Sequence, residues 1–246
     1  MKQQFNAKEI DNLEFERQLQ NEGYTFICGT DEVGRGPLIG PVVAAAVIMP
    51  LDDIIEGVTD SKKLNEKKRN ELDKLIKEKA LSYDICFIDS KTIDEINILE
   101  ASRLAMTNAI KNLKIKPDAI ISDCMKLDID NIINLSIIKG DLRSYSVGCA
   151  SIIAKVARDE YMDELAKKYP HYSFDKNKGY PTKQHFEALE KYGVLDEKGY
   201  IYVDDSRETN VPGLYAAGDC VHKTTRQVIT AVADGVVAAV AITRKL

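Results

Sequence analysis

Two adjacent carboxylates, Asp31 and Glu32, lead directly into a glycine-rich turn, and this stretch carries most of the chain's potential chemistry. The turn is Gly34-Arg35-Gly36, and it separates a strand-like segment from the apolar segment that follows. Successive side chains of a strand point to opposite faces, so both acids can face one ligand only where the strand ends or twists. Glycine supplies that freedom and lets the backbone approach a ligand closely. The pattern predicts a site at a strand end.

The same turn has two other interpretations. A strand followed by Gly-x-Gly can begin a dinucleotide-binding turn, but that motif requires a helix next, and residues 41–49 are predicted to form a second strand. Adjacent acids in a loop are also common at solvated surfaces. The two acids therefore need partners elsewhere in the chain before they can be assigned to a site.

Two further acids follow apolar strand-like segments. Asp123 ends the segment 118–123, and Asp141 comes shortly after the segment 135–138. Four carboxylates at strand ends would repel one another unless they were protonated or bound to divalent cations. Oxygen ligands favour Mg2+ or Mn2+, and two such ions about 4 Å apart can activate a water and stabilise the leaving oxygen in phosphodiester cleavage. We expect the four acids to hold two metal ions.

Composition is that of an ordinary globular protein of 246 residues, with 44% hydrophobic and 30% charged residues. We find neither a signal sequence nor an apolar run long enough to span a bilayer, so we expect a cytoplasmic monomer with no membrane partner. The five cysteines have no metal-ligand spacing, and their odd number argues against a disulfide framework. The three histidines are equally scattered, which leaves carboxylates as the metal ligands.

The net charge of −5 does not by itself indicate a nucleic-acid-binding protein, because phosphate binding is usually accompanied by a basic surplus. A local block is different: residues 61–69 hold five basic residues and one acid. This block is either a cationic patch or an exposed helix start capped by Asp60 or Ser61.

A predicted helix beginning near Ser146 carries polar residues at a helical spacing. Ser151, Lys155 and Arg158 follow one another at i, i+4 and i+7, beside an apolar stripe that includes Ala150 and Ile153. Such a polar stripe can track phosphates, and the alternative is a solvated helix face.

Tyr180 lies in a tight Gly/Pro loop at residues 177–182. A tyrosine in this setting can stack on a sugar or base and use its hydroxyl. Simple packing within the loop is the competing interpretation.

The order of elements predicts an α/β fold in which an early hairpin precedes alternating strands and helices. Strands are predicted at 24–30, 41–49, 82–88, 118–123 and 135–138, and helices at 6–22, 62–80, 97–114, 146–168 and 182–192. We expect one mixed five-stranded sheet flanked by helices. A polar turn after Gly193 marks a domain boundary, which divides the chain into 1–193 and 194–246.

Six motifs occur in order along the first of these segments. They are Asp-Glu-Val-Gly-Arg-Gly-Pro-Leu at 31–38, Asp-Ser-Lys-Lys-Leu at 60–64, Asn-Ile-Leu-Glu-Ala at 97–101, Lys-Gly-Asp at 139–141, Ala-Ser-Ile-Ile-Ala-Lys-Val-Ala-Arg-Asp at 150–159 and Lys-Gly-Tyr-Pro-Thr at 178–182. Together they resemble the bacterial ribonuclease HII family over about residues 12–193. The resemblance implies a ribonuclease H-like fold and an endonuclease that cuts RNA in RNA/DNA hybrids and at single ribonucleotides in duplex DNA, leaving 5'-phosphate and 3'-hydroxyl ends.

The resemblance also implies roles for individual residues. The four acids match the family's metal-binding catalytic residues, and the Gly34-Arg35-Gly36 turn matches the part that senses the ribose 2'-hydroxyl. Tyr180 matches the tyrosine at the ribonucleotide–DNA junction. Lys62 and Lys63 are expected to contact phosphates. Cys124 stands where the family commonly has glycine.

Past residue 193 the family pattern stops and a different one begins. Thr-Asn-Val-Pro-Gly-Leu-Tyr-Ala-Ala-Gly-Asp at 209–219 and the segment 226–235 resemble the C-terminal flavin-binding end of thioredoxin reductase-like proteins. The resemblance gives a short strand-strand-helix appendage. The positions that match flavin contacts are Gly218, Asp219, Arg226 and Gln227.

The appendage lacks the partners of a working flavoenzyme. We find no GxGxxG turn for the FAD pyrophosphate and no CxxC to carry electrons, so we expect no FAD. A fragment this short also rarely folds alone. We expect a chimera with a structural tail. Three functions remain open: a metal-dependent ribonuclease, a flavin-binding oxidoreductase fragment, and a catalytically impaired module that binds RNA/DNA hybrids.

Overall fold

A computed structural model describes residues 11–129, 131–192, 198–211 and 213–244. The chain divides into two compact units, Met1–Asp163 and Glu164–Leu246. The predicted boundary at 193 and the predicted helix start at 6–10 lie outside the described residues. The first unit holds a β-sheet, and the second holds short helices, a segment of turns with isolated β-bridges, and one further helix.

One mixed five-stranded sheet organises the first unit, as expected. Its strand order is β3-β2-β1-β4-β5. The first three strands pair antiparallel, and β1, β4 and β5 run parallel to one another. The strands are β1 (Ile27–Val33), β2 (Val42–Ile48), β3 (Ser82–Ile88), β4 (Ala119–Asp123) and β5 (Ile133–Ile137).

Helices cover both faces of the sheet. In the first unit the described α-helices are α1 (Glu14–Asn21), α2 (Glu66–Lys79), α3 (Ser90–Ile96), α4 (Ile98–Asn112), α5 (Gly140–Arg143) and most of α6 (Tyr145–Lys168). The second unit, described by itself, contains α7 (Phe174–Asn177), α8 (Lys183–Lys191) and α9 (Val228–Thr243). β2 is buried along its whole length, so alternate residues pack on opposite sides. Ala44 and Ala46 join the core cluster of α4, whereas Ala45 and Val47 join the cluster of α2 and α6.

The start of α6 lies directly against β1. A Cβ atom added at Gly29 would come within 2.1 Å of the backbone carbon of Ser146, so only glycine allows this approach. Glu16 fixes the same point: its carboxylate is fully buried and accepts hydrogen bonds from the Ser144 hydroxyl and the Ser146 backbone N–H, at 2.5 and 2.9 Å. The first turn of α6 is therefore seated against the middle of β1.

The second unit differs in part from its prediction. Among its described residues, the predicted pair of strands is reduced to two isolated bridges, Ile201↔Val221 and Glu208↔Tyr215. The predicted terminal helix is present as α9. No described helix combines the length and apolar character that crossing a membrane requires.

Candidate active site

Parallel pairing of β1 with β4 brings the first acids together. Thr30 pairs with Ser122, so the next residues, Asp31 and Asp123, lie side by side on neighbouring strands. Asp123 is the last residue of β4, whereas β1 continues past the predicted end at residue 30, so that Asp31 and Glu32 lie within its last three residues. Adjacent strands are about 4.8 Å apart. The chain then turns sharply at Cys124, whose φ of 49° lies in the left-handed region that favours glycine. This backbone conformation favours glycine at the position after the third acid, and here Cys124 adopts it.

A backbone hydrogen bond brings in the fourth acid. The N–H of Gly140, at the start of α5, donates to Asp123 Oδ1 at 2.8 Å. Asp141 is the next residue and is half-buried. Burial raises the pKa of Asp141, and the negative charges of Asp60 and Asp123 raise it further, while Lys62 opposes the shift. The sequence motifs at 60–64 included Asp60, but its place beside the fourth acid was not predicted.

Burial and nearby negative charges raise the pKa values of Asp31 and Glu32. Asp31 is only 7% exposed, and burial raises its pKa well above the usual range. The charges of Glu32 and Asp123 add to this, whereas a hydrogen bond from Ser151 opposes it. The pKa of Glu32 is also raised by burial, and Arg35 opposes that shift through an ion pair of 3.2 Å. The cluster therefore favours a bound cation or proton.

The donor set fits a hard divalent cation. Glu32 Oε2 is buried without a hydrogen-bond partner, as expected of an oxygen available to a metal. Within the described parts of the chain, no three Asp, Glu, His or Cys side chains already converge on a common point. The four-acid metal site therefore remains a prediction.

The glycine-rich turn follows β1 and shows two kinds of position. Gly34 is buried with φ of 111°, and a Cβ atom there would lie 2.5 Å from the Pro41 carbonyl oxygen. Arg35 and Gly36 are exposed. The buried residue fixes the turn, and the exposed ones are accessible to a ligand.

The cationic block lies next to the acids. Lys62 and Lys63 are exposed in the loop before α2, which is capped by Asn65 rather than by the predicted Asp60 or Ser61. The buried hydroxyls of Ser61 and Ser151 are 3.0 Å apart, and Ser151 also hydrogen-bonds to Asp31. Ser151 therefore links the lysine loop to the first acid.

The polar stripe of α6 is not a solvent-facing phosphate track. Lys155 forms an ion pair of 2.5 Å with Asp159, and both side chains are only 14% exposed. Arg158 is fully buried and donates to the backbone carbonyls of Ile39 and Pro41 at 2.9 and 3.1 Å. The predicted contact of Arg158 with phosphate is therefore wrong, because the segment that carries Ile39 and Pro41 covers this face of α6 and buries the guanidinium completely.

Tyr180 belongs to the second unit. It is half-buried in a loop held by backbone hydrogen bonds, with its N–H on the Asn177 carbonyl at 2.8 Å. Its own carbonyl is 2.9 Å from Nδ1 of His185, which is fully buried. The loop is thus well defined, and the predicted contact of Tyr180 with nucleic acid stays a prediction.

The four flavin-matching positions lie in one stretch of the second unit, and three of them are exposed. Gly218 is half-buried with φ of 87°, and Asp219 forms an ion pair of 3.6 Å with Lys223. Arg226 lies over the Tyr200 ring at 3.8 Å, and Gln227 caps α9. These contacts satisfy the side chains locally.

Two family models match the chain. The model for Ribonuclease HII matches residues 28–202, and the model for Pyridine nucleotide-disulphide oxidoreductase matches residues 179–235. The first covers most of the chain and contains all four acids. The second covers part of the appendage and overlaps the end of the first.

Relatives and solved structures agree with the first model. Ribonuclease HII of Caldicellulosiruptor bescii is 57% identical over 77% of this chain and 92% of its own length, and that of Bacillus cereus strain AH820 is 50% identical over 79% and 76%. The ribonuclease H2 structure from Pyrococcus horikoshii OT3 superimposes with a TM-score of 0.61 at 30% identity, covering 68% of this chain and 87% of that one. The PCNA:ribonuclease HII complex from Archaeoglobus fulgidus gives 0.60 at 26% identity, with coverages of 68% and 88%. The family model over most of the chain and relatives that are 50% and 57% identical show that this chain belongs to the ribonuclease HII family.

Proposed function

We propose that this chain is a divalent-metal-dependent endoribonuclease that cuts RNA in RNA/DNA hybrids and at single ribonucleotides embedded in duplex DNA. The observation that carries the proposal is the placement of Asp31 and Asp123 side by side on neighbouring strands. Glu32 is next to Asp31 in the chain, and Asp141 follows Gly140, whose N–H donates to Asp123. Membership of the ribonuclease HII family supports the same reaction.

The four acids would hold the Mg2+ or Mn2+ ions, which supply an activated water and stabilise the leaving oxygen when bound. Lys62 and Lys63 would contact phosphates beside the acids. The Gly34-Arg35-Gly36 turn would place backbone groups against the ribose 2'-hydroxyl, which is both a donor and an acceptor. Tyr180 would stack at the ribonucleotide–DNA junction. Products would carry 5'-phosphate and 3'-hydroxyl ends.

The test compares three duplexes under one set of conditions: one ribonucleotide in DNA, a continuous RNA/DNA hybrid, and DNA alone. We expect cutting of the first two with Mn2+ or Mg2+ and of none with a chelator. Asp123→Asn is the matched inactive variant. Tight binding of the ribonucleotide duplex without metal-dependent cutting would favour the hybrid-binding alternative instead.

We also propose that the protein is a monomer in the cytoplasm. Light scattering of the purified protein tests the monomeric state.

A flavin-binding function is the weaker candidate. Its support is the match of residues 179–235 to the oxidoreductase model and the likeness of the tail to the end of thioredoxin reductase. Asp219 and Arg226 already have partners within their own segment. We propose that the tail binds no FAD, so the purified protein should lack flavin absorbance, and Asp219→Ala should leave cutting unchanged. Stoichiometric yellow flavin would contradict this.

A further inference from the structure

The loop from Gly34 to Pro41 joins β1 to β2 and carries the turn proposed to face the ribose. It contains neither helix nor strand, and Leu38 near its centre is 52% exposed. Gly34 and Pro41 are nevertheless buried. Something other than regular secondary structure therefore holds the loop in place.

Arg158 lies beneath this loop. Its side chain is 0% exposed and is among the largest fully buried side chains of the described residues. Nε donates to the Pro41 carbonyl at 3.1 Å, and Nη2 donates to the Ile39 carbonyl at 2.9 Å. A guanidinium stays charged and offers a rigid fork of donors, and charge-assisted hydrogen bonds are roughly twice as strong as neutral ones. The pair of contacts thus fixes two carbonyls of one loop.

The loop backbone touches the guanidinium closely at both ends. A Cβ atom at Gly34 would lie 3.0 Å from Arg158 Nε. At Gly40, whose φ is 98°, a Cβ atom would lie 3.1 Å from Nη2 and 2.7 Å from Met162 Sδ. Glycine at these positions lets the loop settle directly onto the buried arginine.

We propose that Arg158 is a positioning residue for ribonucleotide recognition, because it holds the Gly34–Pro41 loop in the shape that the ribose 2'-hydroxyl requires. This inference rests on the proposed function. Arg158 does not touch the substrate, since it is buried. It acts through the loop backbone, as a pre-formed loop saves the cost of ordering at binding.

The role makes a specific kinetic prediction. The acids lie on β1, β4 and α5, and the loop contacts them at Glu32 through the exposed side chain of Arg35. Loosening the loop should therefore weaken recognition more than chemistry. Arg158→Lys keeps the charge but loses the fork. We expect it to raise KM for the single-ribonucleotide duplex about tenfold or more while kcat changes less than about threefold. Mn2+ affinity should be unchanged.

A second readout does not depend on activity. Hydrogen exchange of the peptide spanning 34–41 should become faster in Arg158→Lys, with little change in β4. Gly40→Ala attacks the same contact from the loop side and should reproduce both effects. Leu113→Ala is the matched control, because Leu113 is buried in the α4 cluster and its loss lowers stability without touching the loop.

The outcomes distinguish a failure of the role proposed for Arg158 from a failure of the proposed ribonuclease function. Raised KM and faster loop exchange in Arg158→Lys or Gly40→Ala, but not in Leu113→Ala, support the role. The proposal is overturned if both loop variants keep wild-type KM and exchange, or if all three variants change KM equally. If Arg158→Lys does not fold, Gly40→Ala decides. A wild-type protein that does not cut the ribonucleotide duplex refutes the proposed function, and loop exchange then decides whether Arg158 orders the loop.

Discussion

The backbone N–H of Gly140 donates to Asp123 Oδ1 at 2.8 Å, which ties the end of β4 to the start of α5. A Cβ atom at Gly140 would come within 3.2 Å of the Asp123 Cα, so the approach is tight. Through this contact Asp141 lies beside Asp123, although 18 positions separate them in the sequence. Two strands and one short helix thereby deliver four carboxylates to one end of the sheet.

Asp31→Asn should remove activity and stabilise the metal-free protein. The pKa of Asp31 is raised by burial and by its acidic neighbours, so the folded protein holds this proton to higher pH than the unfolded chain does. The stability contributed by this group is complete below the unfolded pKa and is lost as pH rises through the folded pKa. At neutral pH, a neutral amide should therefore raise the melting temperature in EDTA, by about 2–4 °C.

The same variant should lose at least about a hundredfold in cutting rate, because a metal ligand is removed. Calorimetry in EDTA and single-turnover kinetics check the two halves. Retained activity would refute the metal assignment, and a melting temperature below that of the wild type would refute the electrostatic account.

The affinity for Mn2+ should fall as the pH falls, and the decrease should begin at a pH above the pKa range of ordinary carboxyl groups. The pKa values of Asp31, Glu32 and Asp141 are all raised, and a metal binds their ionised forms. Where one proton is displaced, Mn2+ affinity should drop about tenfold per pH unit. Titration of Mn2+ by calorimetry between about pH 8 and pH 5 measures this. Glu32→Gln should flatten the dependence, and a pH-independent wild-type affinity would contradict it.

Ser151→Ala should move the pH dependence of cutting. The Ser151 hydroxyl stabilises ionised Asp31, so its loss should raise the pKa of Asp31 further and shift the acid limb of the rate profile to higher pH. Ser102→Ala is the matched control, because that buried hydroxyl bonds only within α4, to the Ile98 carbonyl at 2.8 Å. An acid limb that stays in place in Ser151→Ala would rule out the contact with Asp31.

Gly29→Ala should destabilise the fold strongly. The added methyl would lie 2.1 Å from the Ser146 backbone carbon, so β1 and α6 must separate. We expect a loss of about 3 kcal/mol or more in the free energy of unfolding. Gly235→Ala is the control, since a Cβ there meets nothing within 4 Å, and it should be neutral or slightly stabilising. Equal melting temperatures for Gly29→Ala and wild type would disprove the close packing.

Much of the fold follows from local patterns. The apolar run of β2 and the apolar segments 118–123 and 135–138 were identifiable because turn residues bound them. The structure places the last of these strands at Ile133–Ile137. α3 was missed because Ser90–Ile96 is short, has no buried residue, and is separated from α4 by Asn97 with φ of 70°. Such a break depends on backbone conformation rather than on hydrophobic periodicity.

The site was predictable only in part, for a related reason. Acids at strand ends can be identified from sequence, and they led to the carboxylate cluster. The burial of Arg158 and of Glu16 could not be found in this way, because periodicity assigns a residue to a helix face without saying what packs there. Glu16 acts on Ser144, 128 positions away, and only the assembled fold brings the two together.

The most direct test of the central claim maps the cut in a duplex that carries one ribonucleotide. With Mn2+ or Mg2+, we predict a single nick at that ribonucleotide, with 5'-phosphate and 3'-hydroxyl ends, and no nick in EDTA or in Asp31→Asn. A nick that persists in EDTA, or one that leaves a cyclic phosphate formed by the 2'-hydroxyl, would contradict metal-dependent hydrolysis at the four acids.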